Sequence, residues 1–121
     1  MRKILVVDDE SVIRDMVKTR LEANGYEVIT AVDGQDALDK ARNENPELII
    51  LDLMLPKIDG YKVCGLLKSD TRHKNTPIIM FTARAQDSDI QLGKEIGADA
   101  YITKPFDSKV LLEKIENLIK K

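Results

Sequence analysis

A chain of 121 residues, 43% hydrophobic and 33% charged, has the size and composition of one globular domain able to bury a core. Its 19 basic and 21 acidic residues leave a net charge of -2, which excludes the basic footprint of a nucleic-acid or acidic-membrane binder. No apolar run reaches membrane-spanning length, the first strand pattern starts too early for a signal peptide, and the single Cys64 allows no internal disulfide, so a cytoplasmic protein is expected.

Residues 3–8 read as a first strand, β1, and Asp8 and Asp9 follow directly on its run Ile4-Leu5-Val6-Val7 and close it. Residues 10–24 place Val12, Ile13, Met16, Val17 and Leu21 at helical spacing and predict α1, with Gly25 as its C-cap. Residues 26–31 form a more polar, alternating β2. The helix α2, 34–44, turns Ala37, Leu38 and Ala41 inward and stops before Pro46. Residues 48–52 form β3, a continuous apolar run closed by Asp52. A loop with Pro56 and Gly60 belongs to the entry into α3, 59–69, where Cys64 lies among apolar positions as a buried, inert thiol.

The polar stretch 69–76 carries His73, read as a loop histidine without partners for catalysis or metal binding. Residues 77–82 form β4, closed by Thr82. The helix α4, 87–96, ends at Gly97. Its apolar positions, Ile90, Leu92 and Ile96, make no clean stripe, which suits either an element that shifts between two arrangements or a plain polar surface helix. Residues 99–103 form β5, followed by Lys104. Residues 108–120 form α5, with Val110, Leu111, Ile115, Leu118 and Ile119 facing in.

Strands alternating with helices predict a single-domain, doubly wound α/β fold, (βα)5, with a five-stranded parallel sheet covered on both faces. The runs of β1, β3 and β4 are continuously apolar, as strands buried on both faces must be, while β2 and β5 suit edges. The order 2-1-3-4-5 follows. Ligands of such sheets bind beyond the carboxyl ends of the strands at the switch point. Asp8, Asp9, Asp52, Thr82 and Lys104 are all placed at that edge.

Each of these residues has a plain reading when met alone. Asp52 can be a strand-ending acid that solvates a loop, Asp8 or Asp9 an N-cap of α1, Lys104 a surface lysine and Thr82 a strand threonine. Together they point to other chemistry. One acid suffices as a cap, whereas two carboxylates facing a third repel one another unless a cation compensates. Mg2+ does so with one or two carboxylates while keeping several waters. A carboxylate can also attack phosphorus to give an aspartyl phosphate, a transfer promoted mostly by positioning and charge neutralisation.

The motifs Val6-Val7-Asp8-Asp9-Glu10, Leu51-Asp52-Leu53-Met54-Leu55-Pro56, Asp59-Gly60, Phe81-Thr82-Ala83 and Lys104-Pro105-Phe106 together resemble the receiver domain of bacterial two-component response regulators, a flavodoxin-like, CheY-like fold. The resemblance covers the whole chain, 1–121, with no effector domain. It implies that Asp52 is the phosphoacceptor, served by a sensor histidine kinase or a histidine phosphotransfer protein. It implies Mg2+, with Mn2+ able to substitute, held directly by Asp9, Asp52 and the Met54 backbone carbonyl and largely through water by Asp8. Thr82, Ala83 and Lys104 would hold the phosphoryl group. Thr82 and Tyr101 would form the switch, although an edge-strand tyrosine also reads plainly as packing. Pro105 would follow a cis peptide bond. Met54 and Arg84 are large and poor bases, which implies slow hydrolysis of the phosphorylated state.

The expectation is therefore a signalling switch and not a turnover enzyme: phosphorylation biases the α4-β5-α5 face that controls a downstream protein. Such a domain binds neither nucleic acid nor membrane itself and acts as a monomer or a phosphorylation-dependent dimer. Ala100 stands where receivers fused to winged-helix domains commonly carry an acid used in dimer contacts, which counts against a dimer on that face. The chain reads as a stand-alone regulator or as the receiver of a larger one such as a DNA-binding transcription factor, which Met54, Arg84 and Gly97-Ala98-Asp99 resemble. A haloacid-dehalogenase-type phosphatase would need a DxD nucleophile motif after β1 and a cap domain. A flavodoxin-like cofactor binder would need a Ser/Thr/Gly-rich phosphate loop where Asp8-Asp9-Glu10 stand.

Overall fold

The computed structural model describes residues 2–82, 96–103 and 106–119. Among them the strands Lys3–Val7 (β1), Glu27–Ala31 (β2), Leu48–Asp52 (β3), Ile78–Thr82 (β4) and Ala100–Thr103 (β5) form one parallel sheet in the order β2-β1-β3-β4-β5. This is the order that the apolar patterns predict. The described helices are Ser11–Ala23 (α1), Gly34–Glu44 (α2), Gly60–Ser69 (α3) and Ser108–Ile119 (α5). Apart from Ile96, the helix expected over 87–96 lies outside the described residues.

Side chains of successive strand residues point to opposite faces, so a strand covered on both sides is apolar throughout. Leu5, Val7, Ile49, Leu51, Ile78 and Met80 meet Ala37, Leu38 and Ala41 of α2 and Val63, Cys64 and Leu67 of α3 on one face. Ile4, Val6, Leu48, Ile50, Ile79 and Phe81 meet Val17 and Leu21 of α1 and Leu111 and Ile115 of α5 on the other. Each fully buried Leu, Ile or Val contributes about 1.5–3 kcal/mol against its exposed state. The two edge strands are only partly buried, as their mixed sequences predict.

Local signals set the helix ends. Asp33 caps α2 by accepting from the Asp36 N–H at 2.8 Å, and Asp59 caps α3 by accepting from the Lys62 N–H at 2.9 Å. The helix α2 ends on Asn45 in the left-handed region, φ 48°, ahead of Pro46, and α1 runs out through Asn24 into Gly25 at φ 89°. The N-cap of α1 is Glu10, whose side chain makes no capping bond, so neither Asp8 nor Asp9 serves as that cap.

Some expected faces differ. Val12 and Met16 are 69% and 54% exposed, and Val110 is 41% exposed. In α1 the line Ile13-Val17-Leu21 runs along the sheet, and residues one step earlier lie about 100° around the helix, off the contact. His73 does lie in a turn but is buried, with Nε2 lacking a hydrogen-bond partner among the described residues. No described helix is long and apolar enough to cross a membrane.

Candidate phosphoryl and metal site at the carboxyl edge

Val7 lies opposite Leu51, so Asp8 leaves the sheet beside Asp52. Asp52 lies opposite Phe81, and Thr82 stands one residue further along β4. Asp8, Asp52 and Thr82 are only 1%, 3% and 1% exposed, the carboxylates having been drawn into the apolar end of the sheet. Asp9 is exposed beside them, as is Glu10. One carboxylate oxygen from each of Asp8, Asp9 and Glu10 lies within 4.8 Å of the others. The sequence signal for Glu10 is simple adjacency to an acid pair at a strand end.

Backbone bonds fix both buried acids. The Asp8 N–H donates to the Ala31 carbonyl at 3.2 Å, and its carbonyl accepts from Arg14 Nη1 at 2.9 Å. Asp8 Oδ1 accepts from the Glu10 N–H at 2.9 Å, and Asp52 Oδ1 accepts from the Met54 N–H at 3.2 Å. These short loops aim carboxylates by the same device that makes Asp common in turns.

The loop that follows Asp52 is clamped between two glycines. A Cβ on Gly60 would collide with the Asp52 carbonyl and come within 2.8 Å of Leu53 Cα, while the Gly60 N–H donates to the Leu53 carbonyl at 3.0 Å. A Cβ on Gly34 would strike the Ile58 carbonyl and approach Ile58 Cβ to 2.6 Å. Lys57 takes the left-handed conformation at φ 68° and reaches Asp33 Oδ2 at 3.4 Å. The Asp36 N–H first, and Lys57 in addition, hold the Asp33 carboxyl below its ordinary value. Met54, in the same loop, is exposed.

On the α3 side, burial pushes the Cys64 thiol up to about 11, an inert core cysteine as the sequence predicts. The half-buried Tyr101 of β5 places its hydroxyl 3.3 Å from that of Tyr61 in α3. Tyr61 carried no expectation from sequence. Ala83, Arg84, Lys104 and Pro105 lie outside the described residues, so the structure brings Asp8, Asp9, Asp52 and Thr82 together at one edge and gives no position for the other four. A donor set made of carboxylate and carbonyl oxygens, with neither Cys nor His among them, fits a hard cation such as Mg2+.

The profile described as the response regulator receiver domain matches residues 4–116. A probable transcriptional regulator, ycf27, of Porphyridium aerugineum is 48% identical over 119 residues, covering 98% of this chain and 48% of its own. The chain thus spans about half the length of the curated relatives it matches first. Among solved structures, the Vibrio cholerae chemotaxis protein CheY4 superposes with a TM-score of 0.93 at 37% identity, covering 98% of both chains. The receiver domain of the sensor histidine kinase PA1611 from Pseudomonas aeruginosa, with a magnesium ion coordinated in its active-site cleft, superposes with a TM-score of 0.92 at 28% identity, covering 99% of this chain and 98% of that one. The chain belongs to the family of response regulator receiver domains.

Proposed function

We propose that this receiver is a phosphoacceptor switch working in the cytoplasm, and not a turnover enzyme. An Asp52 carboxylate oxygen attacks the phosphorus of a phosphohistidine on a sensor histidine kinase or phosphotransfer protein. The P–O bond to Asp52 forms as the P–N bond breaks, and the imidazole nitrogen leaves with the bonding pair. The observation that carries the reading is the burial of Asp8 and Asp52 side by side, with Asp9 and Glu10 adjoining, at the switch point of a receiver-family sheet.

Asp9, Asp52 and the Met54 carbonyl would hold Mg2+ or Mn2+, with Asp8 acting largely through water. Bound there, the cation would neutralise charge on the transferring phosphoryl oxygens. The Met54 N–H orients Asp52 through Oδ1. Lys104, the Thr82 hydroxyl and Ala83 would receive the phosphoryl oxygens, and Tyr101 would change rotamer with Thr82. The α4-β5-α5 face would then carry the change to a downstream protein. Met54 and Arg84 at the mouth would slow hydrolysis. The half-length coverage of relatives named as transcriptional regulators supports a second reading for the whole protein, in which this receiver controls an attached DNA-binding domain.

Intact-mass measurement after incubation with acetyl phosphate tests the assignment. Wild type should gain one phosphoryl group in Mg2+ and none without a divalent ion, and Asp52→Asn should gain none. An adduct that persists in Asp52→Asn, or forms equally without a divalent cation, would overturn it.

A further inference from the structure

We infer that Tyr61 is a positioning residue of the switch, its hydroxyl holding Tyr101 in the orientation seen here and thereby linking that orientation to the loop beyond Asp52. The inference rests on the reading of Tyr101 as the residue that changes rotamer.

The link runs from the start of α3 to the edge strand β5. Gly60, the first residue of α3, is pressed against the Asp52 carbonyl and donates its N–H to Leu53 at 3.0 Å. Tyr61 follows directly, so its position is tied to the backbone of the reacting acid. Tyr101 sits on the edge strand β5 opposite Met80 of β4, two residues before Thr103, which lies opposite Thr82. The two hydroxyls approach to 3.3 Å across 40 residues of sequence, and both rings pack half-buried on the α2–α3 side of the sheet.

Such a contact acts on one rotamer only. Side-chain wells are about 120° apart, so a change of the Tyr101 χ1 well carries its hydroxyl out of reach of Tyr61. At 3.3 Å the bond is longer than most hydroxyl–hydroxyl bonds, so it biases the rotamer populations by up to about fivefold. That bias acts on the same two-state equilibrium that phosphorylation would shift.

The chain holds three tyrosines, Tyr26, Tyr61 and Tyr101, so 13Cζ-tyrosine labelling of the full chain gives a resolvable set. Tyr26 packs on the opposite face of the sheet and serves as the internal control. Beryllofluoride with Mg2+ serves as the phosphoryl mimic. In wild type the Tyr61 and Tyr101 signals should move together on titration while Tyr26 stays still. Tyr61→Phe, which removes one oxygen and keeps the ring, should displace the Tyr101 signal before any addition. It should also shift the half-response concentration, by up to about fivefold. The direction of that shift reports which of the two states the pair stabilises. Adding Tyr61→Phe to Tyr101→Phe should leave the acetyl phosphate reaction rate where Tyr101→Phe alone puts it. An unchanged Tyr101 signal and midpoint in Tyr61→Phe, with a responsive wild type, overturns the inference alone. A wild type whose Tyr101 never responds overturns the switch reading beneath it.

Discussion

At the amino end of the sheet Lys68 and Asp99 meet as an opposite-charge pair, whereas at the carboxyl end the carboxylates of Asp8, Asp9, Glu10 and Asp52 gather, with the Arg14 guanidinium on the Asp8 carbonyl. Lys68 Nζ donates to the Thr76 carbonyl at 2.7 Å and to Asp99 Oδ2 at 2.9 Å, and Asp99 Oδ2 also accepts from the Ile78 N–H at 2.8 Å. That cluster staples the turn after α3 to the starts of β4 and β5. Its opposite charges compensate one another. At the other end backbone N–H groups hold Asp8 and Asp52, and the like charges brought together there cost stability unless a cation compensates. The two ends differ in whether opposite charges are paired or like charges are gathered.

Replacing one member of each cluster should give opposite signs. Lys68→Met leaves the Thr76 carbonyl without its donor and removes a partly exposed ion pair. A loss of about 1–2 kcal/mol is expected in urea denaturation after allowing for solvent screening. No loss would mean that the staple is ornamental. Asp8→Asn should do the reverse, raising stability by up to about 1 kcal/mol in a chelator-treated sample while reducing the stabilisation that Mg2+ gives to wild type. A variant that is less stable without metal and responds fully to Mg2+ would place Asp8 among the structural charges.

The smallest effect belongs to a surface pair that serves neither end. A side-chain hydrogen bond from Arg72 leads the causes that hold the Asp70 carboxyl below its ordinary value of 3.8. A depressed carboxyl pKa stabilises the fold above the unfolded-state value and loses that contribution as pH falls through the folded-state one. The melting temperature of Asp70→Asn should therefore sit slightly below wild type at neutral pH and converge with it in acid. A gap that widens on acidification would show that the shift has another origin.

Strand order and core were legible because continuous apolar runs admit one place in such a sheet, its centre. Asp8, Asp52 and Thr82 were legible as strand-end residues because β3 and β4 end on the polar residue that closes each run and Asp8 follows β1 directly. What sequence concealed depends on which line of a helix touches its neighbour. The apolar set Val12, Ile13, Met16, Val17 and Leu21 is wider than the contact it makes, so two of its members face water. The burial of His73 arises from how the turn 70–76 folds back, with the Thr76 N–H donating to the His73 carbonyl at 2.9 Å, and no local pattern encodes it. The Tyr61–Tyr101 contact joins positions that only the sheet register brings near.

The glycine clamp around residues 53–59 also constrains protein design. With Gly34 against Ile58 and Gly60 against the Asp52 carbonyl, the loop carries the first turns of two helices on its two sides. Transplanting Asp52 into another βα scaffold therefore requires moving a unit of three elements, with both helix starts set at glycine distance. A graft that copied the acids alone would reproduce the charges and lose their aim.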